Sequence, residues 1–453
     1  MKCDRFASML LILCMVLAGC TGPAAPEEGA TAAEQPAPEA PAAEEAEPLT
    51  MLVKIQDEVA LYAEAFTEQT QVEIEFAEPS NAAFEQMLTD FAAGKSTYDI
   101  VAVDNALGSL YTMDSLLDQG YFLPLTDAPN VGEAVGQMLP VLQELVTREG
   151  TVYALPHFVR FKLLEYNGPL YQAVAEGQLA QYNRSYYPPV TKTQAENLPP
   201  QRAFDSWEEL LSSGYLDERS GDLAYNTMLE QYILNAGEEG FTFDSPEFVR
   251  ALELMKTAKT ADGQAPGDAL GLGIGGVAIY HEGEGIVACN AYYPLPTLDG
   301  QERIPMAYGV LAVNAFTDRA EDALRFLDIA ADIVQNGTGE EDIYNYGMPE
   351  TAACYTDEEH IVVSAGPDPE NQARWRKMQA NLVPITDAGF LTSFHLELFP
   401  QYLDGAITAE QCAAQTQERY QMYKLEQGEW ARATGPRLRT PGSGPVPPKK
   451  GLK

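Results

Sequence analysis

Two short patterns in the chain could carry catalytic or cofactor chemistry, and neither is complete. Residues 271–276 read Gly-Leu-Gly-Ile-Gly-Gly, which fits the phosphate-binding GxGxxG pattern, but the strand-like segment Val277–Tyr280 follows where a phosphate site needs the N-terminus of a helix. His281 and Glu282 lack the second histidine that a zinc protease needs. We therefore expect no enzyme activity, no cofactor and no metal site, although only geometry can exclude a glycosidase pair among so many carboxylates.

The N-terminus carries the most specific local signal. Lys2 and Arg5 precede the apolar stretch from Leu10 to Leu17, and the sequence Leu-Ala-Gly-Cys ends at Cys20. This pattern resembles the cleavage site of bacterial lipoproteins, whose cysteine thiol receives a diacylglyceryl group before the signal peptide is removed. A transmembrane helix, the competing interpretation, needs a longer apolar run. The resemblance implies a signal peptide at 1–19, a lipidated Cys20 and an extracytoplasmic protein anchored to the cell membrane.

Composition excludes other classes of partner. The 453 residues include 67 acidic and 28 basic side chains, so the formal net charge is -39 at pH 7, which repels phosphate backbones. We therefore expect no nucleic acid partner. Residues 20–48 consist mostly of Ala, Pro and Glu, and we expect a disordered tether there. Residues 433–453 are basic and rich in Pro and Gly, which predicts a solvated, disordered tail.

Between these flanks the hydrophobic pattern predicts alternating strands and helices. An apolar run at 49–55, a helical pattern at 59–66 and an alternating segment at 71–76 form a strand, helix, strand unit. A second helix through 84–91 leads to a continuous buried strand that ends at Asp104 and Asn105. Such units favour a parallel sheet, and open parallel sheets bind ligands beyond the carboxyl ends of their strands. We expect these two residues at such an end.

Eight segments occur in the order found in the maltose and oligosaccharide-type solute-binding proteins of ABC importers, which the chain resembles over roughly residues 49–430. Examples are YDIVAVDNALGSLYTMDSLLDQGYFLPLTD, FDSPEFVRALELMKTA and YYPLPTLDG. The resemblance implies an α/β, two-lobed periplasmic-binding-protein-like fold (type II) with a ligand cleft between the lobes. It implies lobe one at 49–155 and 294–342, and lobe two at 156–293 and 343–432. The chain would cross between them at 154–156, at 293–296 and near 342–349.

A cleft for a solute needs a few polar groups and some aromatic faces. Candidates from lobe one follow predicted strands, two more lie at the first crossing, and those of lobe two are mainly aromatic and lie where the resemblance puts cleft loops. The predicted ligand-binding residues are Asp57, Asp104, Asn105, Tyr111, His157, Arg160, Tyr280, His281, Glu282, Tyr292, Tyr293 and Phe390.

The resemblance implies a receptor that captures a small solute by closure of the cleft and delivers it to the permease subunits of an ABC importer. A carbohydrate is the favoured solute. Only three tryptophans are present, and Trp207 lies in the helix start FDSWEELL, where we expect a structural role. Stacking would then depend on tyrosines, and an acidic, tyrosine-lined cleft also suits a polyamine. A surface glycosidase or lyase, or an adhesin of similar fold, would also be consistent with this sequence.

Overall fold

Strands and helices alternate along the part of the chain that the computed structural model describes. That part comprises residues 47–56, 59–105, 113–185, 189–216, 218–235, 241–260, 272–278, 291–336, 369–385, 390 and 394–434. The strands are β1 Leu49–Leu52, β2 Ile74–Phe76, β3 Ile100–Asp104, β4 Thr147–Arg148, β5 Thr151–Val152, β6 Leu155–Tyr166, β7 Leu272–Ala278, β8 Ala291–Tyr293, β9 Ile304–Val313 and β10 Leu382–Pro384.

The helices vary from one turn to seven turns, and a short π-helical segment precedes the last two. They are α1 Ala60–Thr70, α2 Asn81–Ala93, α3 Met113–Asp118, α4 Pro129–Gln137, α5 Pro140–Val146, α6 Gly168–Ala175, α7 Leu179–Ser185, α8 Lys192–Glu196, α9 Trp207–Ser212, α10 Glu218–Ile233, α11 Pro246–Thr260, α12 Ala320–Asn336, α13 Pro369–Ala380, α14 Phe399–Leu403 and α15 Ala409–Thr434, with the π segment at Phe394–Leu398.

The N-terminal strands and helices agree with the hydrophobic pattern. β1 pairs in parallel with β2 and with β3, as the predicted strand, helix, strand units require. The Ser80 hydroxyl caps α2 by accepting a hydrogen bond from the backbone N–H of Ala83, and Gly94 ends the helix in the left-handed conformation. The parallel units therefore place the ends of β1 and β3 side by side.

One mixed sheet runs through the described chain in the order β2-β1-β3-β9-β6-β7. β9 is antiparallel to both of its neighbours in this order, and β6 is antiparallel to β7. The long strand β6 pairs with β9 through residues 155–161 and with β7 through residues 160–166. β6 thus connects the two halves of the sheet.

The buried side chains form two main hydrophobic cores. The first core gathers residues of β1, β3, β9, α1, α2, α4, α5 and α12. The second core gathers residues of α9, α10, α11, α14 and α15. Along β6, Leu163 belongs to the first core and Leu164 to the second, because successive side chains of a strand point to opposite faces. The chain passes between the cores again after β10, because Leu382 packs in the first core and Ile385 in the second.

Two local details bear on the sequence motifs. The sequence predicts a strand after the glycine-rich run, but Gly273, Gly275 and Gly276 of the run itself lie within β7 and pair with β6. Residues 272–276 of this run have the extended backbone of a strand and do not form a phosphate-binding loop. Trp207 has the expected structural role, since it is 1 % exposed and its indole N–H donates to Oε1 of Gln231 at 3.1 Å.

Several predictions concern residues outside the described chain. These are the signal peptide, Cys20, almost all of the tether, and the third crossing near 342–349. The basic tail also lies outside it apart from residues 433 and 434, which belong to α15.

Candidate functional site

A carboxylate and an ammonium group meet where β1 and β3 end. Lys54 follows β1, and its Nζ lies 3.9 Å from Oδ2 of Asp104, the last residue of β3. The ammonium group also lies 5.3 Å from the centre of the Phe84 ring. Burial lowers the pKa of Lys54, and the charge of Asp104 partly opposes this change. The pair therefore presents a charged but partly desolvated group at the carboxyl edge of the sheet.

A β-bulge lies beside this pair. Gly309 of β9 faces Asp104 on one side and Phe158 of β6 on the other, and the register shift between Pro156 and Phe158 makes His157 the extra residue. A Cβ at position 309 would overlap Cε1 of Phe158 and lie 2.8 Å from Nε2 of His157. The ring of Phe158 can therefore lie over the strand only because residue 309 has no side chain.

Arg160 extends the arrangement along β6. Its guanidinium lies 4.8 Å from the centre of the Phe158 ring, and its strand neighbours are the small residues Ala307 and Ala278. The Arg160 side chain is exposed. We call Lys54, Asp104, Phe158 and Arg160 the polar row.

Lys162 lies two residues beyond the polar row and, by strand alternation, on the same face as Arg160. Its ammonium contacts both carboxylate oxygens of Glu230 in α10, at 2.5 and 2.6 Å. Leu164 and Tyr166 follow on that face and belong to the second core. The polar row is thus placed where β6 passes from one core to the other.

His157 is buried and electrically neutral near pH 7. Burial lowers its pKa to about 3, and the nearby charge of Arg160 acts in the same direction. Its ring makes an edge-to-face contact with Phe158, with centroids 5.0 Å apart. The structure therefore places His157 beneath the polar row as a neutral packing group.

Asn105 is also buried, at 4 % exposure. Its Nδ2 donates to the carbonyl oxygens of Met306 at 3.2 Å and Ile385 at 2.8 Å, and its Oδ1 accepts from the backbone N–H of Tyr308 at 2.6 Å. Both amide hydrogens are therefore donated to backbone. This geometry favours a structural clasp over the predicted contact with a ligand.

Three aromatic candidates lie in the described part of the chain, and none of the three is brought to the polar row. Tyr292 and Phe390 are each 1 % exposed and belong to the first and second core respectively. Tyr293 is partly exposed, donates its hydroxyl to the carbonyl of Gln201 at 3.2 Å, and lies 4.3 Å beneath the guanidinium of Arg374. Burial of apolar ring area explains why two of these three rings are packed inside.

Of the other predicted residues, the structure brings Asp104, His157 and Arg160 together around Gly309. Sequence reasoning missed Lys54 and Phe158. Lys54 directly follows the first strand, so the strand-end argument that selected Asp104 could have found it. The remaining candidates lie outside the described residues; they are Asp57, Tyr111, Tyr280, His281 and Glu282.

A separate pocket of about 410 Å³ lies beside the second core and contains none of the predicted residues; Trp207, Tyr232, Arg250 and Asp299 contribute to its lining. Within the described chain no group of three or more His, Cys, Asp or Glu side chains could hold a metal ion. No helix among the described residues is long and apolar enough to span a bilayer.

The polar row can bind hydroxyl groups. A carboxylate accepts hydrogen bonds from hydroxyls, and a guanidinium donates in a planar fork that suits neighbouring oxygens. Asp104 ends β3 and Arg160 lies on β6, and the strand between them is β9, whose Gly309 pairs with Asp104 on one side and with Phe158 on the other. A rigid base of this kind keeps the binding geometry pre-organised.

Comparison with known protein families finds a match to this chain. The family model of bacterial extracellular solute-binding proteins matches residues 53–332, more than half of the chain. No curated protein has a significant sequence match.

Solved structures share the fold. An ABC transporter solute-binding protein from Agrobacterium vitis with bound D-mannitol has a TM-score of 0.52 and 14 % identity over 85 % of this chain and 99 % of that one. The GacH receptor of Streptomyces glaucescens, studied with acarbose, has a TM-score of 0.51 and 14 % identity over 83 % and 98 % of the two chains.

A binding protein from B. animalis subsp. lactis in complex with beta-1,6-galactobiose has a TM-score of 0.50 and 14 % identity over 84 % and 98 %. Identities this low show the fold alone. They confirm the predicted α/β, two-lobed periplasmic-binding-protein-like fold.

Proposed function

Because the chain belongs to the bacterial extracellular solute-binding protein family, we propose that it is a receptor that captures a carbohydrate between its two lobes and delivers it to the permease of an ABC importer. Its family is one of receptors that act outside the cytoplasm. The proteins of similar fold named above were studied with D-mannitol, acarbose and beta-1,6-galactobiose, which are all rich in hydroxyl groups.

The observation that carries this proposal is the polar row. It lies at the carboxyl ends of β1 and β3, where open parallel sheets bind ligands, and on the part of β6 that links the two cores. Its carboxylate and guanidinium suit hydroxyl groups. The two cations of the row, Lys54 and Arg160, disfavour a polyamine ligand, because like charges repel in a partly desolvated site.

The lobe boundaries remain part of the proposal. Lobe one is proposed at 49–155 and 294–342, and lobe two at 156–293 and 343–432. The packing supports a division of this kind, because the two cores separate along β6. It also points to a later third crossing, since Met378 and Leu382 pack in the first core and Ile385 in the second.

The membrane attachment rests on the sequence of the N-terminus. Cys20 is proposed as the lipidated residue after removal of residues 1–19, with residues 20–48 as a tether. Replacing Cys20 by Ser removes the thiol that acylation needs, so we expect an unprocessed or released protein with an intact fold. Equal membrane retention of a processed C20S protein and the wild type would contradict the anchor.

The ligand class is tested by a thermal-shift screen followed by calorimetric titration. The panel contains D-mannitol, acarbose, beta-1,6-galactobiose and spermidine. A bound carbohydrate at a hundredfold excess over its Kd should stabilise the protein by about 2.7 kcal/mol and be recovered chemically unchanged. Binding of spermidine alone would favour a polyamine receptor, and conversion of a bound sugar would favour a carbohydrate-active enzyme.

A further inference from the structure

We propose that Asn105 is a positioning residue that fixes the resting angle between the two lobes by clamping the crossing strands. The inference rests on the proposed function only in assuming that the lobes close on a ligand. Asn105 immediately follows Asp104 of the polar row. Its carboxamide contacts β9 through Met306 and Tyr308, and it contacts the segment after β10 through Ile385. One side chain therefore joins three segments that are distant in sequence.

The partners of Asn105 lie on both sides of a change of core. The Met306 side chain is buried in the first core, and the Ile385 side chain is buried in the second. The Met306 carbonyl also accepts from the backbone N–H of Ile385 at 3.1 Å. The Asn105 amide thus reinforces a backbone hydrogen bond between these two residues, at the point where the chain leaves β10.

Burial makes these hydrogen bonds costly to break. An opening motion that moved Ile385 away from β3 would break the hydrogen bond between Asn105 Nδ2 and the Ile385 carbonyl. Such a loss is unfavourable because buried polar groups need partners. The bond to Ile385 is the shorter of the two donations, at 2.8 Å. Asn105 should therefore restrict rotation of the second lobe about this crossing.

The chain contains a matched control. Asn314 is 1 % exposed, its Nδ2 donates to Oγ of Ser96 at 3.0 Å and to the carbonyl of Tyr98 at 2.8 Å, and its Oδ1 accepts from the backbone N–H of Phe316 at 2.9 Å. Like the side chain of Asn105, this side chain donates two hydrogen bonds and accepts one. Its partners Tyr98 and Phe316 both pack against the first core, so this clasp joins no second-core segment.

The test compares Asn105→Asp with Asn314→Asp in the ligand-free full chain. In both variants aspartate keeps the acceptor for the backbone N–H and loses both donations. The new charge lies beside the carbonyl oxygens of Met306 and Ile385 in Asn105→Asp, and beside the carbonyl oxygen of Tyr98 and the hydroxyl of Ser96 in Asn314→Asp. Hydrogen exchange at the Ile385 amide reports the crossing, and the radius of gyration from solution scattering reports the lobe angle. Melting temperature reports general stability. None of these readouts needs a carbohydrate, so a failed sugar screen would leave this test intact.

Both variants should melt at lower temperature. Only N105D should speed exchange at the Ile385 amide, by about tenfold for the loss of the hydrogen bond from residue 105 to the Ile385 carbonyl, and only N105D should change the radius of gyration. Equal effects in both variants would overturn the proposal, as would faster exchange in N105D without a change in the radius of gyration.

A second pair of variants covers the case in which N105D does not fold. Asn105→Ser and Asn314→Ser remove the same donations without adding a charge, and the same outcomes apply to them. Failure of both Asn105 variants to fold, while the Asn314 variants fold, would show that Asn105 is needed to form the fold and would also overturn a role in setting the lobe angle.

Discussion

The Phe158 ring of the polar row and the Phe390 ring of the second core have different surroundings. In the polar row, the Phe158 ring lies over Gly309 and carries the guanidinium of Arg160 at 4.8 Å. In the second core, the Phe390 ring lies 5.3 Å from that of Phe243 and 5.1 Å from that of Tyr420. The first ring supports a charged group that reaches solvent, and the second packs against other rings within a core.

Substitutions in the two regions should therefore change different properties, ligand affinity in the polar row and the free energy of unfolding in the second core. Charged groups at a partly exposed edge can exchange water for a ligand, so their removal should mainly change affinity. A fully buried ring contributes apolar area and close packing, so its removal should mainly change the free energy of unfolding. Four substitutions test this separation.

The largest effect is expected for Phe390→Ala. The substitution leaves a cavity in the second core, and the free energy of unfolding should fall by about 3–5 kcal/mol, as measured by urea denaturation. Phe390→Leu serves as the matched variant because it keeps most of the volume and removes only the ring. A loss of sugar affinity in F390L with little loss of stability would mean that the ring stacks on the ligand after all.

Asp104→Asn should act in the opposite way. Loss of the carboxylate should weaken binding of the carbohydrate found in the screen about ten- to a hundredfold by calorimetry. The free energy of unfolding should change by only about 1 kcal/mol, because the pair is loose at 3.9 Å and the Lys54 side chain keeps 20 % of its surface exposed. Asp322→Asn is the control, since Asp322 of α12 pairs at 2.7 Å with Arg319, the residue before that helix. Equal affinity of D104N and D322N would remove Asp104 from the site.

Gly309→Ala tests whether the glycine holds the polar row in place. The added methyl group must displace the Phe158 ring, at a cost of about 1–3 kcal/mol, and the guanidinium above the ring should move with it. The affinity for the carbohydrate found in the screen and the free energy of unfolding should therefore both fall. Gly136→Ala in α4, where an added Cβ meets nothing within 4 Å, should lower neither. A G309A protein as stable and as active in binding as G136A would show that the ring moves without cost.

The smallest effect at neutral pH is expected for His157, because its contribution changes only on acidification. Its pKa is lowered to about 3 in the folded protein and lies near 6.5 in the unfolded chain, so between these values the unfolded chain binds the additional proton. The contribution to stability is complete above pH 6.5 and declines as pH falls, with a slope of at most about 1.4 kcal/mol per pH unit. Urea midpoints at pH 7.0, 5.5 and 4.5 measure it.

His157→Gln stays neutral throughout this range and should therefore show a shallower loss of stability on acidification. Parallel curves for H157Q and the wild type would contradict the buried, neutral state of His157. Because the chain carries many carboxylates that also titrate in this range, the comparison depends on the difference between the two slopes.

The sequence predicted the elements whose signals are local. The strands and helices of residues 49–104 needed only hydrophobic periodicity, and the start of α9 at Trp207 needed only a capping pattern. Asp104 could be predicted as an edge residue because it ends a buried strand. Phe390 could not be assigned, because an aromatic residue has the same sequence signature in a core and in a cleft.

The sequence by itself determined the acidic composition, the lipoprotein-like N-terminus, the first parallel strand and helix units, and the position of Asp104 at a strand end. Tertiary structure decided which of the site residues meet. The partners of Asn105 lie 201 and 280 residues away at Met306 and Ile385, and Phe158 needs a glycine in another strand. Contacts over such separations depend on which strands pair and in what register, and no local pattern of residues encodes that choice.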